Sequence, residues 1–254
     1  MLQIRTIDSF NDVITHVASK SPFAIEIKGL RKIIYINKKK VAAFRPGTPN
    51  PELQSREARK LMAAVRAAVT RYIKKVKFDV PEIRKEYPVV FTNRFFWDSI
   101  PANTEFYVID AKHAYWRIAF LHGYIGQKLY EKYADDKKMK TVKNISLAVL
   151  NSIHKMEYYK KGKKFAEIEC NTSQYSRVYN NIRYFSYNLC GKIRNDLDDA
   201  CFAYRTDGVF LLKPGLARVK KIFEANNLLY KIEKCTKIDN KSYVNSDGEV
   251  KKFM

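Results

Sequence analysis

Apolar and polar side chains alternate along residues 23–45, FAIEIKGLRKIIYINKKKVAAFR, where β-branched and aromatic residues are broken by Gly29 and a lysine cluster. A period of two is that of a half-buried strand, so the stretch predicts strands joined by short turns, a small N-terminal β-rich region. The breaker RPGTPNP at 45–51 ends it, and the period then changes. Residues 51–75, PELQSREARKLMAAVRAAVTRYIKK, open on proline and carry apolar residues at helical spacing beneath an Arg/Lys face, which predicts a helix.

Residues 104–126, TEFYVIDAKHAYWRIAFLHGYIG, begin as a short buried strand ending at Asp110 and continue with helical spacing. A charged stretch at 127–142 precedes a predicted helix at 143–159, KNISLAVLNSIHKMEYY, closed by the lysine-rich turn KKGKK. In SQYSRVYNNIRYFSYNLCGKIRND, 173–196, aromatic and apolar residues recur every three or four positions, the pattern of a long helix packed on a sheet. ACFAYRTDGVFLLKPG, 200–215, reads as a hairpin with Asp207 and Gly208 at its turn. A helix at 215–227, a strand at 228–238 and a second hairpin at 240–254 with the turn SDG follow. The order predicts an α+β protein without internal repeats.

Charge narrows the range of partners. Lys and Arg number 48 against 26 Asp and Glu, a formal charge of +22 spread along most of the chain. Such an excess repels itself in the folded state and is explained by a polyanion, most often nucleic acid. No apolar run approaches the roughly 20 residues of a membrane span and MLQIRTIDSFNDV lacks a signal-peptide core, so no membrane association and a cytoplasmic location are expected. Cys170, Cys190, Cys201 and Cys235 form no CxxC pair and are read as reduced, mostly buried thiols. His16, His113, His122 and His154 form no metalloprotease-type pair.

Two aspartates sit at strand ends. Asp110 follows the apolar run FYVI, and Asp207 lies in an otherwise apolar hairpin. Taken singly, an aspartate in a turn caps local N–H groups, and one before a helix is an N-cap. Taken together on neighbouring strands, two carboxylates can hold two divalent cations about 4 Å apart for phosphoryl transfer.

The order of several segments resembles the palm and fingers of family B DNA polymerases, over roughly residues 104–254. DAKHAYWRI is similar to that family's motif A, DxxSLYPSI, with Asp110 on the metal-binding aspartate and Tyr115 on the steric-gate tyrosine. LNSIH resembles the NSxYG of motif B through Asn151 and Ser152, and FAYRTDGVF resembles motif C, YGDTDSIF, through Thr206 and Asp207. KSY, from Lys241 to Tyr243, looks like the KxY element that contacts the primer–template duplex.

The resemblance implies an antiparallel polymerase-type palm sheet backed by helices, with short helical fingers inserted at about 125–160. Residues 1–100 would form an N-terminal β/α region without exonuclease motifs, and 101–254 the palm. It implies Mg²⁺ (or Mn²⁺) on Asp110 and Asp207, nucleotide contacts from Tyr115, Lys143 and Asn151, and nucleic-acid contacts from Arg183, Lys241 and Tyr243. Lys143 stands in for the motif B lysine because Leu147 occupies that position. Arg205 replaces the first aspartate of DTD, and His154 and Lys155 replace the Tyr and Gly of NSxYG. The implied partners are a DNA primer–template, dNTPs and a second protein supplying the thumb or clamp, in a reduced viral or mobile-element enzyme acting in the host cytoplasm. The alternatives are a catalytically silent, polymerase-like nucleic-acid-binding or structural scaffold, favoured by Arg205, and a primase-like nucleotidyltransferase served by the same two aspartates.

Overall fold

The computed structural model describes residues 22–28, 31–44, 55–151, 154–161, 163–169 and 174–253. His16, Ser152, Cys170 and the breaker at 45–51 lie outside the described residues. In chain order, β1 (Phe23–Lys28), β2 (Arg31–Ile36) and β3 (Lys39–Phe44) precede α1 (Arg56–Lys75), β4 (Val90–Thr92) and α2 (Arg94–Ser99). β5 (Glu105–Ala111) leads to α3 (Ala114–Leu121), α4 (Gln127–Tyr133) and α5 (Lys140–Ala148). The hairpin β6 (His154–Lys160) and β7 (Lys163–Glu169) is followed by α6 (Gln174–Leu197) and the hairpin β8 (Cys201–Arg205) and β9 (Gly208–Leu211). Then come α7 (Leu216–Ala225), β10 (Tyr230–Lys237), β11 (Ser242–Asn245) and β12 (Val250–Lys252). The result is a mixed α+β protein whose two sheets are antiparallel.

Two compact units divide the chain elsewhere than at residue 100. The first takes Met1–Val80 with Lys138–Tyr179, and the second Pro81–Lys137 with Asn180–Met254. In the first unit the sheet order is β3-β2-β1-β6-β7. α1 begins where Ser55 accepts a 3.0 Å bond from the Ala58 N–H, and its buried stripe, Ala58, Leu61, Val65, Ala68, Val69 and Ile73, has the predicted helical spacing. The expected helix at 143–159 stops early. α5 ends at Ala148, a single 3-10 turn covers 149–151, and from His154 the chain is a strand. The reason is tertiary: β6 pairs along the open edge of β1, and Tyr159 stacks on Phe23 with ring centroids 4.7 Å apart. The end of the region expected as fingers, 154–160, thus supplies a sheet strand to the first unit.

The second unit has the order β12-β11-β10-β5-β9-β8-β4. Its four central strands, with residues 180–197 of α6 and with α7, follow the chain order β-α-β-β-α-β, in which β5 and β9 lie at the centre and β8 and β10 outside them. An aromatic core of Trp97, Phe106, Phe202, Phe210, Tyr243 and Phe253 fills one face, with Trp97 stacked on Phe253 at 3.8 Å. Lys237 is 2 % exposed, and its Nζ donates to the carbonyls of Trp97 and Ile100, both at 2.6 Å, closing the end of α2.

Stretch 81–87, outside any regular element, is held along α6 by asparagines seven residues apart. Asn181 accepts from the Ile83 N–H (2.8 Å) and donates to the Pro81 carbonyl (2.6 Å). Asn188 repeats the pattern on Glu86 (2.9 Å) and Arg84 (2.8 Å), and Asn195 donates to the Tyr87 hydroxyl (3.0 Å). Seven residues are close to two helical turns, so the amides stand in a row and supply the donors and acceptors that a neighbouring strand would.

Candidate functional site

Sheet register explains why two aspartates 97 positions apart become neighbours. In β5 and β9 Asp110 pairs with Gly208, and on its other side Asp110 pairs with Lys231 of β10. Gly208 in turn pairs with Arg205 of β8. Residues directly opposite share a face, so Lys231, Asp110, Gly208 and Arg205 form one row across four strands. Pairing continues into the turn, where the Ala111 N–H donates to the Asp207 carbonyl at 3.1 Å. Gly208 makes the space: a Cβ there would stand 3.2 Å from Asp110 Oδ1.

The turn carrying Asp207 is strained and firmly held. The Asp207 N–H donates to the Arg205 carbonyl at 2.7 Å, closing a three-residue turn with Thr206 at φ +53°. A β-branched residue there is an outlier that persists only when its surroundings enforce it. They do so from three sides. The Thr206 N–H donates to the Val89 carbonyl (2.9 Å), the Ser186 hydroxyl of α6 donates to the Thr206 carbonyl (2.8 Å), and Thr206 Oγ1 donates to Asp207 Oδ1 (2.7 Å).

Around the carboxylates stands a polar cluster from α3 and α6. The Tyr115 hydroxyl lies 3.3 Å from that of Tyr187, which accepts a 2.9 Å bond from Arg183 Nε. Burial, the Tyr187 hydroxyl and the negative charge of Asp207 push the Tyr115 phenol well above its ordinary range, against the opposing charge of Arg183. Cys190, one helical turn after Ser186, is buried, and its thiol is pushed well up by burial first and then by the charges of Asp207 and Asp110. Cys201 and Cys235 are likewise buried and pushed up to about 12, chiefly by burial, in accord with reduced, inert thiols.

The remaining expected residues are placed differently. Lys143 and Asn151 belong to the first unit, Lys143 on α5 at 1 % exposure and Asn151 half-buried in the turn after it. Lys241 is exposed between β10 and β11, with its N–H on Asp239 Oδ1 at 2.7 Å. Tyr243 is not a surface contact: its register turns it inward between Phe106 (5.3 Å) and Phe210 (6.2 Å). Arg205 is exposed, and Lys231 Nζ lies 3.3 Å from Asp110 Oδ2 in a partly solvated pair. Ser186, Tyr187 and Lys231 are not singled out by the sequence, and Cys190 is read there only as a buried thiol. The i,i+4 pairs Arg183–Tyr187 and Ser186–Cys190 are visible there, but not which helix face meets the hairpin.

Among the described residues no group of three or more His, Cys, Asp or Glu side chains could hold a metal ion, so any metal at this place would rest on the two carboxylates with water or substrate oxygens. Also among the described residues, no helix is long and apolar enough to cross a membrane. No family model, curated protein or solved structure matches the chain.

Proposed function

We propose that this chain is a template-dependent DNA polymerase core of the family B kind, adding deoxynucleotides to a primer 3′-hydroxyl without proofreading. The observation that carries the reading is the pairing of Asp110 with Gly208, which brings Asp110 next to the turn that carries Asp207, at the ends of two central strands of an antiparallel sheet. Two carboxylates fit Mg²⁺ (or Mn²⁺), which keeps several waters and is commonly completed by substrate phosphates. Ions bound there would supply an activated 3′-hydroxyl and neutralise the charge on the departing pyrophosphate.

The chain's own residues then have separate tasks. Asp207 is oriented by Thr206 Oγ1, and Asp110 is kept clear by the absent side chain of Gly208. Tyr115, fixed by Tyr187 and Arg183, gives the incoming sugar an aromatic wall that a 2′-hydroxyl would strike. Arg183 adds a cation beside Tyr115 and Tyr187, suited to phosphate. Lys143 is too buried to serve the triphosphate in this arrangement. A DNA primer–template and dNTPs are the partners.

A second reading, a silent palm-like scaffold that binds nucleic acid, is favoured by the two cations flanking Asp110 in its row, Lys231 and Arg205. Extension of a labelled primer–template by the purified chain with Mg²⁺ or Mn²⁺ separates them. Deoxynucleotide addition, weak with NTPs and lost in Asp110→Ala, is expected; duplex binding without extension in any metal would leave the scaffold. A milder lesion is Gly208→Ala, whose methyl forces the Asp110 carboxylate to give by a few tenths of an ångström. Incorporation is expected to fall about tenfold, since small displacements at a reacting centre are costly, with the thermal melt nearly unchanged.

A further inference from the structure

The first unit has a cavity of about 500 Å³ on one face of its sheet, remote in sequence from both aspartates. Register shows how it is built. Ala24 of β1 pairs with Tyr35 of β2 on one side and with Tyr158 of β6 on the other. A methyl group thus forms the floor between two tyrosines. Neighbouring strands are about 4.8 Å apart, so the tyrosine-bearing strands stand about 10 Å apart, room for a flat ring between aromatic walls. Phe165, 65 % exposed, extends the wall beyond Tyr158 at 6.3 Å.

Two residues into β1 from that floor, and so on the same face, is Glu26. It is 8 % exposed, lines the cavity, and accepts a 2.7 Å bond from the Tyr35 hydroxyl at Oε2. A carboxylate at the end of an aromatic slot takes either a cation or a ring edge with N–H donors. Charge decides between them. The pairing of Phe23 with Ile36 and with Tyr159 puts the β2–β3 and β6–β7 turns at the same end of the sheet, beside the cavity. Those turns carry the exposed Lys38, Lys39, Lys40, Lys160, Lys161 and Lys163. Six ammonium groups repel a cationic ligand and attract a phosphodiester.

We infer that this slot binds a guanine base of single-stranded nucleic acid, stacked between Tyr35 and Tyr158, with its N1–H and N2–H₂ donated to the Glu26 carboxylate and flanking phosphates near the lysines. Guanine is the base that presents two adjacent donors on its Watson–Crick edge. Adenine and cytosine set a ring acceptor beside their amino group, and thymine flanks its single N–H with two carbonyls, so a carboxylate repels each of them. Exposed aromatics within a basic rim are the general form of a single-strand site, to which the carboxylate adds base preference.

The test is equilibrium binding by the full chain in EDTA, without nucleotide, followed by anisotropy of a labelled oligothymidylate carrying one central dG, dA or dC. The dG strand is expected to bind about tenfold tighter than the others, the scale of hydrogen bonds to a charged acceptor. Glu26→Gln should erase that preference. Phe165→Ala, at a position exposed enough to leave folding intact, should weaken every strand about threefold or more through lost stacking. GMP should displace the dG strand only at a large excess, since it lacks the neighbouring phosphates; GMP binding as tightly as the strand would overturn the single-strand assignment. Equal affinity for all strands, or a dG preference that survives Glu26→Gln, would overturn the guanine site. The assay needs neither metal nor catalysis, and Asp207→Asn should leave its result unchanged, so failure of the polymerase reading would not be mistaken for failure of this one.

Discussion

Asp207→Asn is expected to lower template-directed incorporation by about a thousandfold, because losing a charged metal ligand removes several kcal/mol of transition-state stabilisation. The substitution is chosen for what it keeps. An asparagine carbonyl still accepts the Thr206 Oγ1 bond, and the backbone contacts of the turn, from the Asp207 N–H to Arg205 and from the Ala111 N–H to the Asp207 carbonyl, do not involve the side chain. The fold should therefore survive, with a melting temperature equal to or above that of the parent, since one of two neighbouring like charges is gone. Removing that charge should also lower the Tyr115 phenol pKa, which Asp207 helps to raise. Single-turnover extension, a thermal melt and a spectroscopic tyrosine titration read the three effects separately. Retained activity with a lowered melt would make Asp207 a turn residue and nothing more.

Gly191→Ala carries the largest expected effect on stability, and its sign is opposite to what helix propensity gives. In an exposed helix interior alanine is better than glycine by about 1 kcal/mol. On α6, however, a Cβ at Gly191 would overlap Cγ and Cδ1 of Tyr87 and stand 2.6 Å from its Cβ. Either the ring leaves or the helix shifts. If the ring leaves, the Asn195 bond to its hydroxyl is lost and the stretch that Asn181 and Asn188 hold along α6 is pulled at its end. That stretch feeds β4, the edge strand paired with β8 next to the Asp207 turn. A loss of about 3 kcal/mol is expected, at the upper end for overpacking, read as a reduced urea midpoint. Tyr87→Ala should be much milder alone and should restore most of the loss in the double variant, a coupling that identifies the ring as the obstacle.

Elements with a strong period and clear punctuation lie close to where the pattern puts them. β5, α6, the β8–β9 hairpin, α7 and β10 are of this kind, as is α1 with Ser55 at its start. The failures have separate causes. HKMEYYK, 154–160, carries the spacing of a helix as well as that of a strand, and the free edge of β1 selects the strand. β4 and α2, of three and six residues, are too short to show a period, yet α2 brings Trp97 to the centre of the aromatic core. Tyr243 and Lys143 were expected at a surface because motif position says nothing about burial.

Residue types and their order along the chain were enough to give the α+β class, the basic surface, the buried thiols and two aspartates at strand ends, since these depend on local period, turn chemistry and composition. Which residues face one another was not available at that level. That Asp110 lies opposite Gly208, that Ser186 and Cys190 of α6 meet the strained carbonyl of Thr206, and that Tyr35 and Tyr158 stand on either side of Ala24 are consequences of strand register and of helix faces chosen by packing. Register is set by the sum of many contacts distant in sequence. A shift of one residue would leave every local pattern unchanged and turn every side chain to the opposite face.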